Sequence, residues 1–262
     1  MKKWILRSAL ALVTILVVAG LVYHLGLRNW CLQWGTTTAE VHATLPGDVL
    51  FPDYTGEATH AITIHASPQQ IWPWLMQIGQ DRSGFYSYTF LENAFACDMP
   101  KVERLVPDWK PRAPGETVWF CNPKHFNGQG RMIAAIVEPD RAFTMVSLND
   151  WQSLQTGGRA REGIWSFTLE PQASGQTRLI ARVRSTTPPA LASRLAGRLF
   201  WEPAHFVMEQ RMLRTIRDLA ERGESGFVSG VAGFERAPLF SRAGGTIRLD
   251  WFQPLPEYAL RA

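Results

Sequence analysis

The chain has 262 residues, of which 46% are hydrophobic and 19% charged, and 27 Lys and Arg stand against 23 Asp and Glu. Four of the basic residues, Lys2, Lys3, Arg7 and Arg28, precede the first acid, Glu40, so residues 29–262 carry 23 of each sign. The basic excess is therefore confined to the N-terminal flank, which argues against a nucleic-acid footprint: that would need Lys and Arg clustered on the folded part.

Ala9 to Leu27 contains no Asp, Glu, Lys or Arg. A helix over residues 8–27 rises about 1.5 Å per residue and covers roughly 30 Å, the hydrocarbon thickness of a bilayer. Trp4, Tyr23, Trp30 and Trp34 flank it, where amphipathic rings favour headgroups. Lys2, Lys3 and Arg7 before the span, against Arg28 after it, predict a single pass through the plasma membrane with the N-terminus in the cytoplasm and the bulk of the chain on the outer side. No A-x-A-like site follows the apolar stretch, so residues 1–28 are expected to stay as an anchor rather than leave as a signal peptide.

Residues 29–57, with Leu45-Pro46-Gly47-Asp48 and Phe51-Pro52-Asp53, carry turn chemistry and read as an extended lead-in. Residues 58–222 suffice for one domain. Ala58 to His65 reads as a strand with Ile62 and Ile64 on one face and Thr63 and His65 on the other. Ser67, Pro68 and Gln70 open a helix with a capping box and an apolar stripe of Ile71, Trp74, Leu75 and Ile78, bent at Pro73. A second helix is expected from Tyr86 to Phe95, where Glu92 lies within an apolar stripe of Tyr88, Leu91 and Phe95. Five strands follow: Thr117 to Cys121, Arg131 to Glu138, Ala142 to Leu148, Gly163 to Glu170 and Thr177 to Arg184. Their short links predict an antiparallel meander with one face covered and one wet, the latter bearing Arg178, Arg182 and Arg184. A short helix after Pro189 and a long one from Pro203 to about Arg222 close the domain, leaving 223–262 as a loose tail in which Thr246 to Phe252 reads as a possible short strand. Cys97 and Cys121 either pair or remain buried thiols.

On the long helix, Phe206, Met212, Leu213, Ile216 and Leu219 share a half with His205 and Glu209. That His and Glu either satisfy each other in the core or line a cavity, where a few polar groups in an apolar wall orient a ligand.

Blocks in order strengthen the second reading: Trp34-Gly35-Thr36, Leu45-Pro46-Gly47-Asp48, Ile71-Trp72-Pro73-Trp74-Leu75, Gly84-Phe85-Tyr86-Ser87-Tyr88 with Leu91-Glu92-Asn93, and Glu202-Pro203-Ala204-His205-Phe206-Val207-Met208-Glu209 with Arg211-Met212-Leu213. Together they resemble the uncharacterised polyketide cyclase/dehydrase-like branch of the SRPBCC (START/Bet v1-like) superfamily. The resemblance implies an α+β helix-grip fold, a curved antiparallel sheet wrapped around a long C-terminal helix, and a hydrophobic cavity for a lipid, polyketide or isoprenoid-like molecule. The residues expected to line it are Tyr86, Tyr88, Glu92, Trp119, Trp165, His205, Glu209 and Met212.

Two motifs, Glu57-x-x-His60 and Glu202-x-x-His205, have the spacing of carboxylate-bridged di-iron helices, but the first enters a strand, where its side chains point to opposite faces. No Walker loop, nucleophile elbow or dinucleotide fingerprint occurs, so no metal and no cofactor is expected. Two functions remain open: a membrane-tethered module that binds or transfers a hydrophobic small molecule, or a cyclase, dehydratase or isomerase in which Glu92 or His205 is the general base and the other group holds a developing oxyanion.

Overall fold

The computed structural model describes residues 2–223 and the short segments 241–243 and 246–248. Helix α1 (Lys2–Val22) runs through a π-helical turn (Tyr23–Leu27) into α2 (Arg28–Leu32). Residues Leu10–Leu32 form one helix long and apolar enough to cross a membrane, and an 18-residue stretch within it has mean hydropathy 2.3 with none of its residues buried. There follow α3 (Thr38–His42), a 3-10 turn (Pro46–Leu50), β1 (Gly56–Ile64), α4 (Pro68–Met76), α5 (Thr89–Ala94), β2 (Thr117–Trp119), β3 (Arg131–Glu138), β4 (Ala142–Val146), α6 (Leu148–Gln155), β5 (Gly163–Pro171), β6 (Thr177–Ser185), α7 (Leu191–Ala196) and α8 (Glu202–Glu221). A π-helical turn, Gly197–Trp201, joins the last two helices.

The sheet has six antiparallel strands in the order β1-β6-β5-β4-β3-β2, the α+β arrangement that the meander predicts. β1 closes onto β6 from Gly56 opposite Ser185 to Ile64 opposite Thr177. One face buries Ile62, Ile64, Phe143, Met145, Phe167 and Leu179 against Ile71, Trp74 and Leu75 of α4 and Met212, Leu213, Ile216 and Leu219 of α8. α4 begins where its cap predicts, the Gln70 side chain accepting the Ser67 N–H at 2.9 Å.

The opposite face is not wet. The lead-in folds rather than extends: Thr37 and Glu40 form a reciprocal capping box on α3, and residues 45–51 lie across the sheet. Leu50 and Phe51 pack there with Ile133, Ile136, Val146 and Ile164. Arg182, expected in water, is fully buried. Its five N–H donors are all used: Thr59 Oγ1 (3.0 Å), the carbonyls of Ala43 (2.8 Å), Glu40 (2.8 Å) and Val41 (3.0 Å), and Asp48 Oδ2 (2.6 Å). Arg184 adds Asp48 Oδ2 at 3.1 Å and Glu57 at 2.7 Å.

Three further expectations change. The helix over Tyr86 to Phe95 shrinks to α5, because Tyr86 takes a left-handed φ of 55° after the Gly79 to Gly84 turn and Tyr88 is non-helical. Leu91 and Phe95, placed in its apolar stripe, are exposed. The third strand stops at Val146, since Ser147 caps α6 by accepting the Asp150 N–H. Cys97 and Cys121 form a disulfide, and Cys31 is a buried free thiol. Of the tail, Ser241–Ala243 pairs antiparallel with Thr246–Arg248; the remainder of residues 224–262, expected to be loose, lies outside the described residues.

Candidate functional site

Period-two geometry puts His60 of β1 on the same face as Ile62 and Ile64, toward α8. One helical turn separates His205 from Glu209, so both side chains reach the same place from α8. There, His60 Nδ1 hydrogen-bonds Glu209 Oε2, His205 Nε2 stands 3.4 Å from that oxygen, and Trp165 Nε1 of β5 donates to Glu209 Oε1 at 2.6 Å. His60 Nε2 donates to the Cys31 carbonyl at 2.7 Å. A carbonyl only accepts, so Nε2 carries a hydrogen, and the Nδ1 to Glu209 contact requires a second proton between the two groups.

The chain past the candidate span is held tightly enough to supply that carbonyl. Gly35, at φ 74°, lets residues 33–36 press on β1, and a Cβ there would collide with the Ala61 carbonyl. Ala61 N donates to the Trp34 carbonyl at 3.1 Å.

His60, Glu209 and Trp165 are buried, whereas the His205 side chain keeps 35% of its area exposed. Its Nε2 is nonetheless enclosed and makes no hydrogen bond among the described residues; the exposed part is the rest of the ring. Aromatic rings surround the centre: His60 stacks on His205 at 6.1 Å, Trp165 meets His205 edge-on at 5.9 Å, and Phe206 meets His60 at 5.7 Å. Burial alone would raise the Glu209 carboxyl, but attraction to His205 and His60 outweighs it and holds the group well below the usual carboxylate range. Burial would lower His205, yet the Glu209 charge beside it leaves it raised.

Of the expected pocket residues, the structure brings together Trp165, His205 and Glu209. Met212 follows them on α8 but is buried in the apolar core. Tyr86 is buried edge-on to Trp74 at 6.1 Å, its hydroxyl pushed up to about 12 by burial. Tyr88 lies under Arg211, whose guanidinium carbon is 5.9 Å from the ring centre. Trp119 alternates with the buried Val118 on β2 and stacks under Arg131 at 5.4 Å, so it belongs to the other side of its strand. Glu92 has one enclosed, unpartnered oxygen, and burial raises its carboxyl to about 7. No hydrogen bond, ion pair or ring contact among the described residues joins Glu92 to the Glu209 centre.

Sequence reasoning missed His60 and the Cys31 carbonyl. His60 was visible in principle, since it shares the parity of Ile62 and Ile64. The acids of the two E-x-x-H motifs are taken elsewhere: Glu57 by Arg184, and Glu202 by Arg28 at 2.7 and 2.8 Å. A cleft of about 110 Å³ lined by Gln33, Thr36, Thr37, Thr38, Val41 and His42 lies on the lead-in and holds none of the expected residues.

No family model matches the chain, and no curated protein matches it. Among solved structures it is similar to a polyketide-cyclase-like protein from Corynebacterium glutamicum, at 16% identity over 68% of this chain and 97% of that one, TM-score 0.31. It is likewise similar to the Zhui aromatase/cyclase from a Streptomyces species, at 13% identity over 67% and 99%, TM-score 0.35. A third is the Aha1 dimer from Colwellia psychrerythraea, at 17% identity over 64% and 98%, TM-score 0.36. Likeness at such scores carries no weight, and the fold description rests on the sheet order and on α8 against its face.

Proposed function

We infer that the protein is a membrane-anchored module that binds an apolar small molecule with a polar head, the head meeting His205 and Glu209 and the apolar part lying along residues 191–207. One observation carries this reading. The partly exposed His205 ring lies one helical turn beyond Trp201, at the end of a run of exposed apolar side chains that adjoins the candidate span. Leu191, Leu195 and Leu199 recur every four residues and are 49–64% exposed, followed by Phe200, Trp201 and Val207. A run of exposed apolar side chains beside a membrane-length helix is suited to the bilayer interface. Arg194 and Arg198, three residues after Leu191 and Leu195 and so flanking that stripe, suit anionic headgroups.

The span and this surface adjoin. A Cβ added at Gly20 would lie 3.6 Å from Leu199 Cδ2, and Arg28 and Glu202 form a bidentate pair. Cleavage after the apolar stretch would remove or free Cys31, the partner of His60, which favours a retained anchor over a signal peptide. With the anchor retained, the flanking charges favour an orientation with the domain on the outer side of the plasma membrane. The acid–base alternative needs Glu92 and His205 to work together, and among the described residues no hydrogen bond or ion pair joins them, so binding is the reading we carry.

The test is gentle extraction of the full chain followed by native mass spectrometry. A bound apolar compound of constant mass is expected from wild type, with much weaker retention by His205→Leu and by Leu199→Ser. Wild type that emerges at its bare mass and also fails to take up a fluorescent fatty acid defeats the proposal. For topology, alkaline phosphatase fused after Arg222 should be active, and activity of a cytoplasm-only reporter at that point contradicts the orientation.

A further inference from the structure

Each buried acid in the described residues reveals its role by its partners. Asp48 is held by Arg182 and Arg184, Glu138 by Arg141 at 2.7 Å, and Asp150 by the backbone N–H groups of Arg161, Glu162 and Gly163. Those are the ordinary devices for neutralising a carboxylate inside a protein. Glu209, 3% exposed, has neither an arginine nor a backbone donor; its partners are two imidazoles and an indole. The chain has 27 Lys and Arg side chains, yet among the described residues none of them meets this buried helical acid.

We propose that His60 Nδ1, His205 Nε2 and a Glu209 carboxylate oxygen form a binding site for a divalent transition-metal ion such as Zn²⁺. The three ligand atoms lie within 4.8 Å of one another. Two imidazoles and one carboxylate are a donor set that zinc and other first-row ions accept while keeping a position open for a further ligand. The outer contacts fit as well. A ligating histidine commonly gives its second ring N–H to a backbone carbonyl, as His60 gives Nε2 to Cys31, and a ligating carboxylate is commonly fixed by a donor, as Trp165 fixes Oε1 at 2.6 Å. His205 Nε2, enclosed and without a hydrogen bond, is the ring nitrogen that faces this point. A divalent ion replaces the proton held between His60 and Glu209, and the exposed side of His205 leaves a route for entry. The site extends the binding reading without depending on it, because metal uptake is measured with no apolar ligand present.

The experiment uses the full chain in detergent without a polyhistidine tag, stripped with chelator and dialysed, then titrated with Zn²⁺ by calorimetry and with Co²⁺ by visible absorption. One equivalent per chain is expected, with Co²⁺ ligand-field bands and displacement by Zn²⁺. His205→Ala, at the most exposed ligand and so the variant easiest to fold, should weaken binding at least about 100-fold. Trp165→Phe, which removes only the outer contact to Glu209, should weaken it about 10- to 100-fold. Circular dichroism must show both variants folded; if either is not, His205→Gln, which keeps the bulk of the side chain, replaces it. Absence of saturable uptake by folded wild type overturns the proposal, as does uptake that folded His205→Ala or His205→Gln leaves unchanged.

Discussion

Arg182→Met tests whether the lead-in belongs to the cooperative fold that positions the site. The substitution keeps an unbranched apolar stem but removes all five donors at a fully buried position. Asp48 would retain Arg184 at 3.1 Å and the Leu45 N–H at 3.0 Å, whereas the carbonyls of Glu40, Val41 and Ala43 lose their guanidinium partner. Breaking a buried pair from one side costs about 3 to 5 kcal/mol, and each stranded carbonyl about 1 to 3 kcal/mol unless water reaches it. Residues 40–48 can lift off the sheet and hydrate, which caps the sum, so the expected loss is about 3 to 5 kcal/mol. Urea unfolding of the full chain in detergent, followed by tryptophan fluorescence, measures it, and limited proteolysis should then cut within residues 36–50. Replacing Asp48 by Leu as well removes the carboxylate that Arg182 had partly neutralised, so the double variant should lose less than the sum of the singles by at least about 1 kcal/mol. A loss under about 1 kcal/mol for Arg182→Met, with the lead-in still protected, refutes the reasoning.

Glu92 makes stability depend on pH. Its folded carboxyl is raised from 4.5 to about 7 by burial, so the folded state binds the extra proton and stability is lost as pH rises from about 4.5 through 7. Partial exposure limits the effect to about 1 to 2 kcal/mol; Glu92→Gln should abolish that part of the slope and be the more stable protein at pH 8, and identical melting profiles for both across pH 5 to 8 contradict it. The Cys97–Cys121 bond closes a segment with sequence separation 24, for which chain entropy gives about 3 kcal/mol. Replacing both cysteines by Ser should lower stability by about that amount, and maleimide labelling of denatured wild type should find one thiol, Cys31, before reduction and three after; three before reduction contradicts the pairing.

Much of the fold was legible because its signals are local. Alternation in Gly163 to Glu170 and Thr177 to Arg184, the cap at Ser67 and the early-turn Pro203 of α8 each involve neighbours in sequence. α6 hid behind an apolar run: Val146 and Leu148 continue the pattern of β4, and only Ser147 with Asp150 marks the break. The covered outer face was unreadable for a different reason. A strand bearing Arg178, Arg182 and Arg184 looks wet unless its partners are known, and Asp48 lies 134 residues from Arg182. The same limit applies to the site. His205 and Glu209 were visible as a helical pair, but whether they formed a core pair or a lined opening depended on His60, 149 residues from Glu209, and on a carbonyl that no side-chain pattern encodes. The structure takes neither alternative whole, since Glu209 is enclosed and paired while His205 stays partly open.

The contacts between anchor and site bear on how a ligand would arrive. In the proposed topology the span ends near Leu27, and Cys31 lies four residues further along a helix, about 6 Å at 1.5 Å per residue. Bilayer headgroup regions extend about 5 to 8 Å beyond the hydrocarbon on each side, so the carbonyl that holds His60 sits at headgroup depth. Trp30 packs on Phe206 at 5.3 Å and Arg28 grips Glu202, which fixes the N-terminal turns of α8 at that depth instead of leaving the domain on a loose tether. A polar head already in the interface could then meet His205 while its apolar part remained among Leu195, Leu199 and Trp201. Transfer of a hydrophobic molecule through water is the costly step for a freely diffusing carrier, at about 0.8 kcal/mol for each methylene exposed, and in the proposed topology this geometry would remove that step on the membrane side.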